Sequence, residues 1–369
     1  MKKQLSYILT SFCFGLVVSG CSEDFATPET EANAVPITFS TAKVSVSNGE
    51  QVQSRAAGAK FPNEGKIAIV AQSSVATTTD WSSLYLNHAV ATAADEANGS
   101  HAITLDPTAY WPFNSNETLT FTAYSPAAHA AMKKKEDTGA LASLKATELE
   151  LTATTDKGFP DLLYLEQPVG KGNNAVGPYN KAHGTVALGE FKHAMAKVKI
   201  KVMCVKYDAT GTEATYNKLN MNITSLTIGT KVTKGTFDFL IPAWTLTAPA
   251  VDATTLYTLI NSSTKMTQAY ESTGDYYLFP TAGGVDVAAN SEIKITLDDG
   301  TVPHEYTQTI SVFKINNTTT PVTLTQGEEQ LLTIKIKVMD IPNGAVPGII
   351  LEGTLIDWEN KGNSTVTIQ

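Results

Sequence analysis

The chain has 369 residues, of which 42% are apolar, 17% charged and 8% aromatic, a length and composition that predict two domains with packed cores. Its formal charge of −9, from 27 basic and 36 acidic side chains, argues against binding to nucleic acid, because phosphate binding needs a concentrated basic face. The 50 threonines favour pleated strands and argue against helical solenoids and coiled coils.

Residues 1–20 have the pattern of a signal peptide. Two lysines precede an apolar run over residues 7–18, which is too short to cross a bilayer. The sequence Val18-Ser19-Gly20-Cys21 that follows resembles a bacterial lipobox, in which the cysteine receives a diacylglyceryl thioether and becomes the new N terminus. We therefore expect a lipid on Cys21. The alternative is an ordinary secretory signal followed by a chance cysteine.

Residues 21–36 are rich in Glu, Thr, Ala and Pro and have little apolar surface to bury. This composition predicts a lipidated, disordered tether. Its acidic start, Ser22-Glu23-Asp24, resembles the tract that sends lipoproteins to the outer surface of some Gram-negative cells. No later stretch has the roughly 18 apolar residues of a membrane helix, so we expect only the lipid to attach the chain to the outer membrane.

Alternating apolar and polar residues recur along the rest of the chain. Such alternation predicts antiparallel strands with one wet face, and turn signals such as Asn63-Glu64-Gly65 separate them into stacked β-sandwiches. Asp298-Asp299-Gly300 resembles half a calcium loop, but the same residues between two alternating runs favour a hairpin turn. The clearest runs cover residues 66–70, 119–123, 197–202 and 332–338.

Two segments interrupt this pattern. Between residues 126 and 151, Ala, Met, Lys, Glu and Leu dominate, which predicts a short helix near residues 127–135 inserted in the first domain. Residues 170–178 are rich in Gly, Asn and Pro and precede a new run of strands. We therefore place a domain boundary near residue 183, between an N-terminal β-sandwich over 37–183 and a C-terminal β-sandwich over 184–369.

Catalytic and metal-binding patterns are missing from the sequence. The six histidines show no metal-ligand spacing, and no nucleophile or phosphate-loop motif occurs, so we expect no enzyme, no cofactor and no metal. Cys204 lies in an apolar strand and is expected to be a buried small hydrophobe. The four tryptophans could form a sugar-stacking platform, but the composition favours a place in two domain cores. They are Trp81, Trp111, Trp244 and Trp358.

Arg55 is the only arginine, whereas lysine occurs 26 times. Such a count is what selection for a single arginine-specific cut, between Arg55 and Ala56, would leave. Small and polar neighbours make this segment a candidate exposed loop between two strands, at 37–46 and 66–71. The alternative is biased codon usage with one chance arginine.

Together these features resemble the fimbrillins, or type V pilins, of Gram-negative gut and oral bacteria. The resemblance implies two tandem transthyretin-like antiparallel β-sandwich domains. It also implies a lipoprotein precursor that reaches the outer membrane, where an arginine-specific protease removes everything through Arg55. The matching motifs are Cys21, Ile37-Thr38-Phe39-Ser40, Ser54-Arg55-Ala56, Tyr110-Trp111-Pro112, 119–126, Phe159-Pro160-Asp161-Leu162-Leu163-Tyr164, 191–197 and Asp357-Trp358.

Removal of residues 37–46 would leave an apolar groove with unpaired backbone groups, which a strand of another chain can fill. The apolar phase slips between Phe39 and Val44, which predicts a bulge. At the other end of the chain residues 364–369 alternate, so Val366 and Ile368 are candidates to dock in a neighbour's groove. The alternative is that these residues form the last strand of their own domain, as would suit a tip subunit.

The sequence as a whole predicts a fimbrial subunit that polymerises by donor-strand exchange and serves cell adhesion. Its expected partners are other fimbrial subunits, in a homopolymer or a heteropolymer, and an arginine-specific protease. The expected location is the outer membrane for the precursor and the surface fimbria for the cut chain. A monomeric glycan-binding surface lipoprotein is the alternative, and it has no need of a cut at Arg55.

Overall fold

The computed structural model describes residues 34–44, 61–75, 84–95, 101–134, 147–153, 158–166, 176–207, 213–215, 222–265, 270–272, 274–298, 303–313, 321–338, 354–355 and 364–365. The chain divides into two units, residues 1–35 and 36–369. Of the first unit only Ala34 and Val35 are described, and both are exposed. The second unit contains all the strands that follow.

The described residues form 25 strands. Eleven of them precede residue 194: β1 (Thr38–Val44), β2 (Lys66–Ser73), β3 (Leu86–Ala93), β4 (His101–Leu105), β5 (Leu119–Ser125), β6 (Met132–Lys133), β7 (Glu148–Thr152), β8 (Leu163–Glu166), β9 (Val176–Tyr179), β10 (Thr185–Val186) and β11 (Gly189–His193). The others are β12 (Ala196–Tyr207), β13 (Glu213–Thr215), β14 (Asn222–Thr230), β15 (Lys234–Asp238), β16 (Ala243–Leu246), β17 (Thr254–Ile260), β18 (Thr264–Lys265), β19 (Tyr270–Glu271), β20 (Tyr276–Leu278), β21 (Ser291–Asp298), β22 (His304–Thr309), β23 (Glu329–Val338), β24 (Thr354–Leu355) and β25 (Ser364–Thr365).

The alternating runs of the sequence coincide with β2, β5, β12 and β23, which confirms the predicted strands and the all-β fold. The residues on both sides of the Asp298-Asp299-Gly300 signal pair antiparallel, as β21 and β22, so the hairpin interpretation is confirmed. Three pairings depart from a purely antiparallel arrangement. β1 runs parallel to β10 and β11, and β12 runs parallel to β23 over ten residue pairs.

Nine strands form one sheet, in the order β10-β1-β11-β8-β5-β2-β3-β4, with β9 on β5. Because β1 also pairs with β4, the order of strands closes into a ring. One apolar cluster, which we call the ring core, is built from the side chains of this sheet and its connections. Its largest aromatic members are Phe39, Phe61, Trp111, Phe121 and Phe191.

The expectation of one wet face is wrong for β2 and β5. In β2, Ile67 and Ile69 belong to the ring core, whereas Ala68 and Val70 belong to a second cluster on the opposite face. Tyr124 of β5 likewise stacks on Phe239, with 4.7 Å between ring centroids and an angle of 10°. Strands buried on both faces have continuous apolar runs, and residues 67–71 of β2, which overlap the alternating run predicted over 66–70, are all apolar.

The second cluster draws on strands from both halves of the chain, between β2 and β23. In the sheet β16-β15-β7-β6, β7 from the N-terminal half pairs antiparallel with β15 from the C-terminal half. The C-terminal half also contains a sheet centred on β12, a sheet centred on β14 and the two-stranded sheet β24–β25. The predicted domain boundary near residue 183 stays a prediction, and the strands just after it, β10 and β11, pair with the ring sheet.

The predicted helix near residues 127–135 is wrong for the part that the structure describes, which is a turn followed by β6. The backbone groups there have partners elsewhere, because Ala127 N–H donates to Lys66 O and Ala131 O accepts from Thr152 N–H, at 3.2 and 2.8 Å. These pairings override the local helix propensity. Only short 3-10 turns are helical among the described residues, and none of their helices could cross a membrane.

Candidate functional site at the first strand

Strand β1 closes the ring sheet by pairing on both edges. On one edge it runs parallel to β10 and β11, with Phe39 opposite Val186 and Val44 opposite Phe191. On the other edge it runs antiparallel to β4, with Phe39 opposite Ile103. We call the space between β4 and β10–β11 the β1 groove. A strand held on both edges satisfies backbone groups of the strands on either side as well as its own.

The side chains of this segment also fill the ring core. Ile37 is 3% exposed and Phe39 6%, and the Phe39 ring meets Phe121 edge to face at 5.7 Å between centroids. Phe121 in turn contacts Trp111, at 5.9 Å. Burial of two such side chains stabilises the folded chain by about 3–6 kcal/mol. The first strand is therefore part of the core, although it belongs to the segment that the sequence predicts to be cut away.

Backbone contacts extend this hold beyond the start of β1. Ile37 N–H donates to Ala109 O at 2.8 Å, and Pro36 and Tyr110 form an antiparallel bridge. The pairing of β1 with β4 shifts register between Phe39 and Ala42, which confirms the predicted bulge. A bulge twists the strand locally and breaks the regular ladder there.

Val44 and Phe61, on the two sides of Arg55 in the sequence, lie beside the same residue of β11. Val44, the last residue of β1, lies opposite Phe191. Phe61, the first residue described after the gap, packs edge to face on the same Phe191 at 5.5 Å and on His101 at 5.2 Å. The described residues on the two sides of 45–60, Val44 and Phe61, thus both lie beside Phe191. Sequence reasoning missed Phe61 and Phe191 as walls of the site, although both are large apolar residues beside predicted strands.

The residues predicted to carry modification or exchange lie outside the described residues. They are Cys21, Arg55, Ala56, Val366 and Ile368. The expectations of a lipid, of a cut and of a donor strand therefore stay predictions. Of the predicted site, the structure describes the first strand, β1, and the residues of the ring sheet that contact it.

The tryptophans that the structure describes belong to the core. Trp111 is 4% and Trp244 5% exposed, and Trp244 Nε1 donates to Ala194 O at 2.7 Å. This confirms the core interpretation for these two and removes them from a sugar-stacking platform. Trp81 and Trp358 lie outside the described residues.

Cys204 is a buried residue of β12, as the sequence predicts. Burial raises the pKa of its thiol to about 11, which keeps it protonated and unreactive at neutral pH. His193 and Asp161 form a side-chain pair at 2.8 Å between Nδ1 and Oδ1. No group of three His, Cys, Asp or Glu side chains in the described ranges could hold a metal ion.

The family profile described as fimbrillin-like matches residues 54–358. The chain belongs to the fimbrillin-like family. This match covers most of the chain, begins one residue before Arg55 and leaves β1 outside. Fimbrillins are subunits of surface fimbriae, so family membership places this chain among adhesive fimbrial proteins of the cell surface.

Solved structures resemble this fimbrillin-like chain at low sequence identity. A candidate cell adhesion protein of Bacteroides uniformis matches with a TM-score of 0.50 and 14% identity, over 89% of this chain and 98% of the other. One of Bacteroides ovatus matches with a TM-score of 0.47 and 16% identity, over 91% and 98%. A fimbrial assembly protein of Parabacteroides distasonis matches with a TM-score of 0.41 and 7% identity, over 90% and 98%. No curated protein matches the sequence. At 14% identity, the first similarity is evidence for a shared fold and for nothing finer.

Proposed function

We propose that this chain is a non-enzymatic fimbrial subunit that is cut after Arg55 and polymerises by donor-strand exchange. The observation that carries the proposal is that β1, upstream of Arg55, fills a core position of the ring sheet. A cut at Arg55 separates this strand from the chain that it completes. Its loss would open the β1 groove and leave backbone groups of β4, β10 and β11 unpaired.

The cut acts as a switch through effective concentration. While the peptide bond after Arg55 is intact, β1 stays covalently joined to the rest of the chain. Its effective concentration at its own groove is then roughly millimolar. After the cut the strand is held by contacts alone, and its concentration falls to the bulk value once it leaves. A strand of a neighbouring subunit can then replace it, with main-chain pairing for affinity and side-chain pockets for specificity.

The spacing of the pockets fits the C-terminal candidate. Ile37 and Phe39, two residues apart, are buried, and they are the buried ones among the side chains of residues 36–44 that the structure describes. Val366 and Ile368 have the same spacing in the sequence. Alternate residues of a strand point to the same face, so these two side chains can fill the two pockets together. Both the removed strand and the donor candidate lie outside the family match.

Before cleavage we place the protein in the outer membrane as a lipoprotein precursor, held by a lipid on Cys21. The lipobox and the acidic start of the tether support this location. After cleavage the chain no longer carries Cys21, so its attachment to the cell depends on other subunits of the fimbria. The glycan-binding alternative is weakened by the burial of Trp111 and Trp244.

The proposal is tested by treating purified precursor with an arginine-specific protease. The wild-type chain should give one new N terminus, Ala56, and a ladder of oligomers on SDS gels without boiling. The Arg55→Lys variant should fold normally but form no ladder, because lysine lacks the guanidinium fork that an arginine-specific pocket recognises. Adding Lys60→Arg to that variant restores a cut downstream, after residue 60, and should restore the ladder. A ladder from Arg55→Lys alone, or none from the wild type, would contradict the proposal.

A further inference from the structure

Exposed apolar side chains of the ring sheet are concentrated at one end. Among the described residues from 36 onward, seven large apolar side chains are exposed. Four of them, Val75, Tyr85, Tyr110 and Phe113, lie in connections between ring strands, and we call them the apolar end. Phe113 is 71% exposed. The other three are Val90, Ile241 and Val251.

Strand directions show why these residues share one end. Ser73 at the end of β2 pairs with Leu119 at the start of β5, and Ala71 of β2 pairs with Leu86 at the start of β3. The β2–β3 and β4–β5 connections therefore meet there. A hydrogen bond joins them directly, because Tyr85 Oη donates to Tyr110 O at 2.8 Å.

The start of β1 lies at the same end. Pro36 bridges Tyr110, and β1 runs from there away from the apolar end, antiparallel to β4. The opposite end of the ring holds the β3–β4 connection, where Asp95 is exposed. Among the described connections between ring strands, the exposed large apolar side chains therefore lie at the end where β1 starts, and Asp95 lies at the other end.

The direction of the replacing strand decides which end the neighbour covers. A donor that reproduces the pairings of β1 runs parallel to β10 and β11 and antiparallel to β4. A C-terminal donor is joined to the body of its own subunit through its first residue. That body then lies where β1 starts, beside the apolar end. A donor inserted in the reverse direction would bring the body to the end that carries Asp95.

We propose that the apolar end is a docking surface for the body of a second copy of this chain, whose donor strand enters the β1 groove in the direction of β1. This inference rests on the proposed function. It adds to that function the direction in which the donor strand runs and a contact outside the β1 groove. Exposed apolar area continuous with an interface is the kind of surface that a permanent partner covers.

Photo-cross-linking of the full chain tests the inference. p-Benzoylphenylalanine is placed at Phe113 in one variant and at Asp95 in a matched control, and both precursors are cut with the arginine-specific protease before irradiation. We expect position 113 to give a covalent dimer only after the cut, and position 95 to give none. In addition, Tyr110→Ser combined with Phe113→Ser should slow ladder formation about tenfold, because buried aromatic anchors carry much of the energy of an interface. Asp95→Ser should leave the rate unchanged.

Each outcome separates the two proposals. Ladder formation with a cross-link at position 95 and none at 113 overturns the donor direction and leaves the proposed function standing. Ladder formation with cross-links at neither position overturns the docking surface alone. Cross-linking of position 113 to phospholipid in intact cells, with no dimer, assigns the apolar end to the membrane and also overturns it. No ladder from the unsubstituted cut chain overturns the proposed function, and the inference falls with it.

Discussion

Tyr257 ties the two halves of the chain together through its hydroxyl. Its hydroxyl accepts hydrogen bonds from Phe159 N–H at 2.9 Å and Tyr277 N–H at 3.0 Å, and it donates to Tyr277 O at 2.8 Å. Gly158, with φ of +58°, allows this approach, because a Cβ there would lie 2.0 Å from Cε1 of the Tyr257 ring. The ring and the 158–159 backbone therefore fit only with glycine at that position.

Tyr257→Phe should lower the free energy of unfolding by about 2–5 kcal/mol, because it leaves two part-buried N–H groups without an acceptor. Urea unfolding followed by circular dichroism measures the change. Tyr306→Phe is the matched control, since its ring also packs against the second cluster and its hydroxyl makes no hydrogen bond within the described residues. Equal stability losses in the two variants would contradict this account of Tyr257.

Cys204 and Tyr257 make stability depend on alkaline pH. Burial raises the pKa of the Cys204 thiol from 9.0 to about 11, and that of the Tyr257 phenol from 10.0 to about 12. The folded chain thus keeps protons that the unfolded chain releases. The stabilisation from these two groups is therefore fully present below pH 9 and is lost as pH rises towards 12. Cys204→Ala should flatten the decline between pH 9 and 11 in urea titrations. A decline as steep as that of the wild type in this range would assign it to other groups.

At the scale of the element, β1 is a core strand of the precursor that, in the proposed mechanism, the mature subunit lacks. Phe39→Ala should therefore destabilise the precursor by about 3–5 kcal/mol, by removing a buried aromatic ring. The same substitution should leave the stability of assembled fimbriae unchanged, because residue 39 is gone from them. Phe191→Ala is the control and should weaken both, since Phe191 stays in the groove wall. Fimbriae weakened by Phe39→Ala, measured by melting of the SDS-stable polymer, would show that β1 is retained.

Sequence patterns located the strands well and their surroundings poorly. Alternation marked β2, β5, β12 and β23 because side-chain direction in a strand is a local property. The burial of the second face of β5 depends on Phe239, far away in the sequence, and no local pattern carries that contact. The helix predicted near residues 127–135 failed for the same reason, since Lys66 and Thr152 pair with the backbone there.

The candidate site shows the same division between local and long-range information. Composition singled out Arg55, and the phase of the apolar residues singled out the bulge in β1. The meeting of Val44 and Phe61 at Phe191 is a long-range contact that only the fold reveals.

At the scale of the whole molecule, the precursor folds around a strand that we propose it later loses. Val44 and Phe61, the described residues on the two sides of Arg55, both contact Phe191 of β11, and a cut at Arg55 would separate β1 from the groove walls β4, β10 and β11, which stay in the cut chain. Arg55 is the sole arginine in the sequence, and the other basic side chains are lysines and histidines. An arginine-specific protease therefore has one site in the chain and leaves the rest of the subunit uncut.

The N-terminal sequence of the subunit in fimbriae purified from cells tests strand exchange most directly. We expect a single start at Ala56-Ala57-Gly58, with β1 absent from the polymer. A subunit that begins at Cys21, or anywhere else upstream of β1, would show that fimbriae assemble with the first strand still in its own groove, and the strand-exchange account would be contradicted.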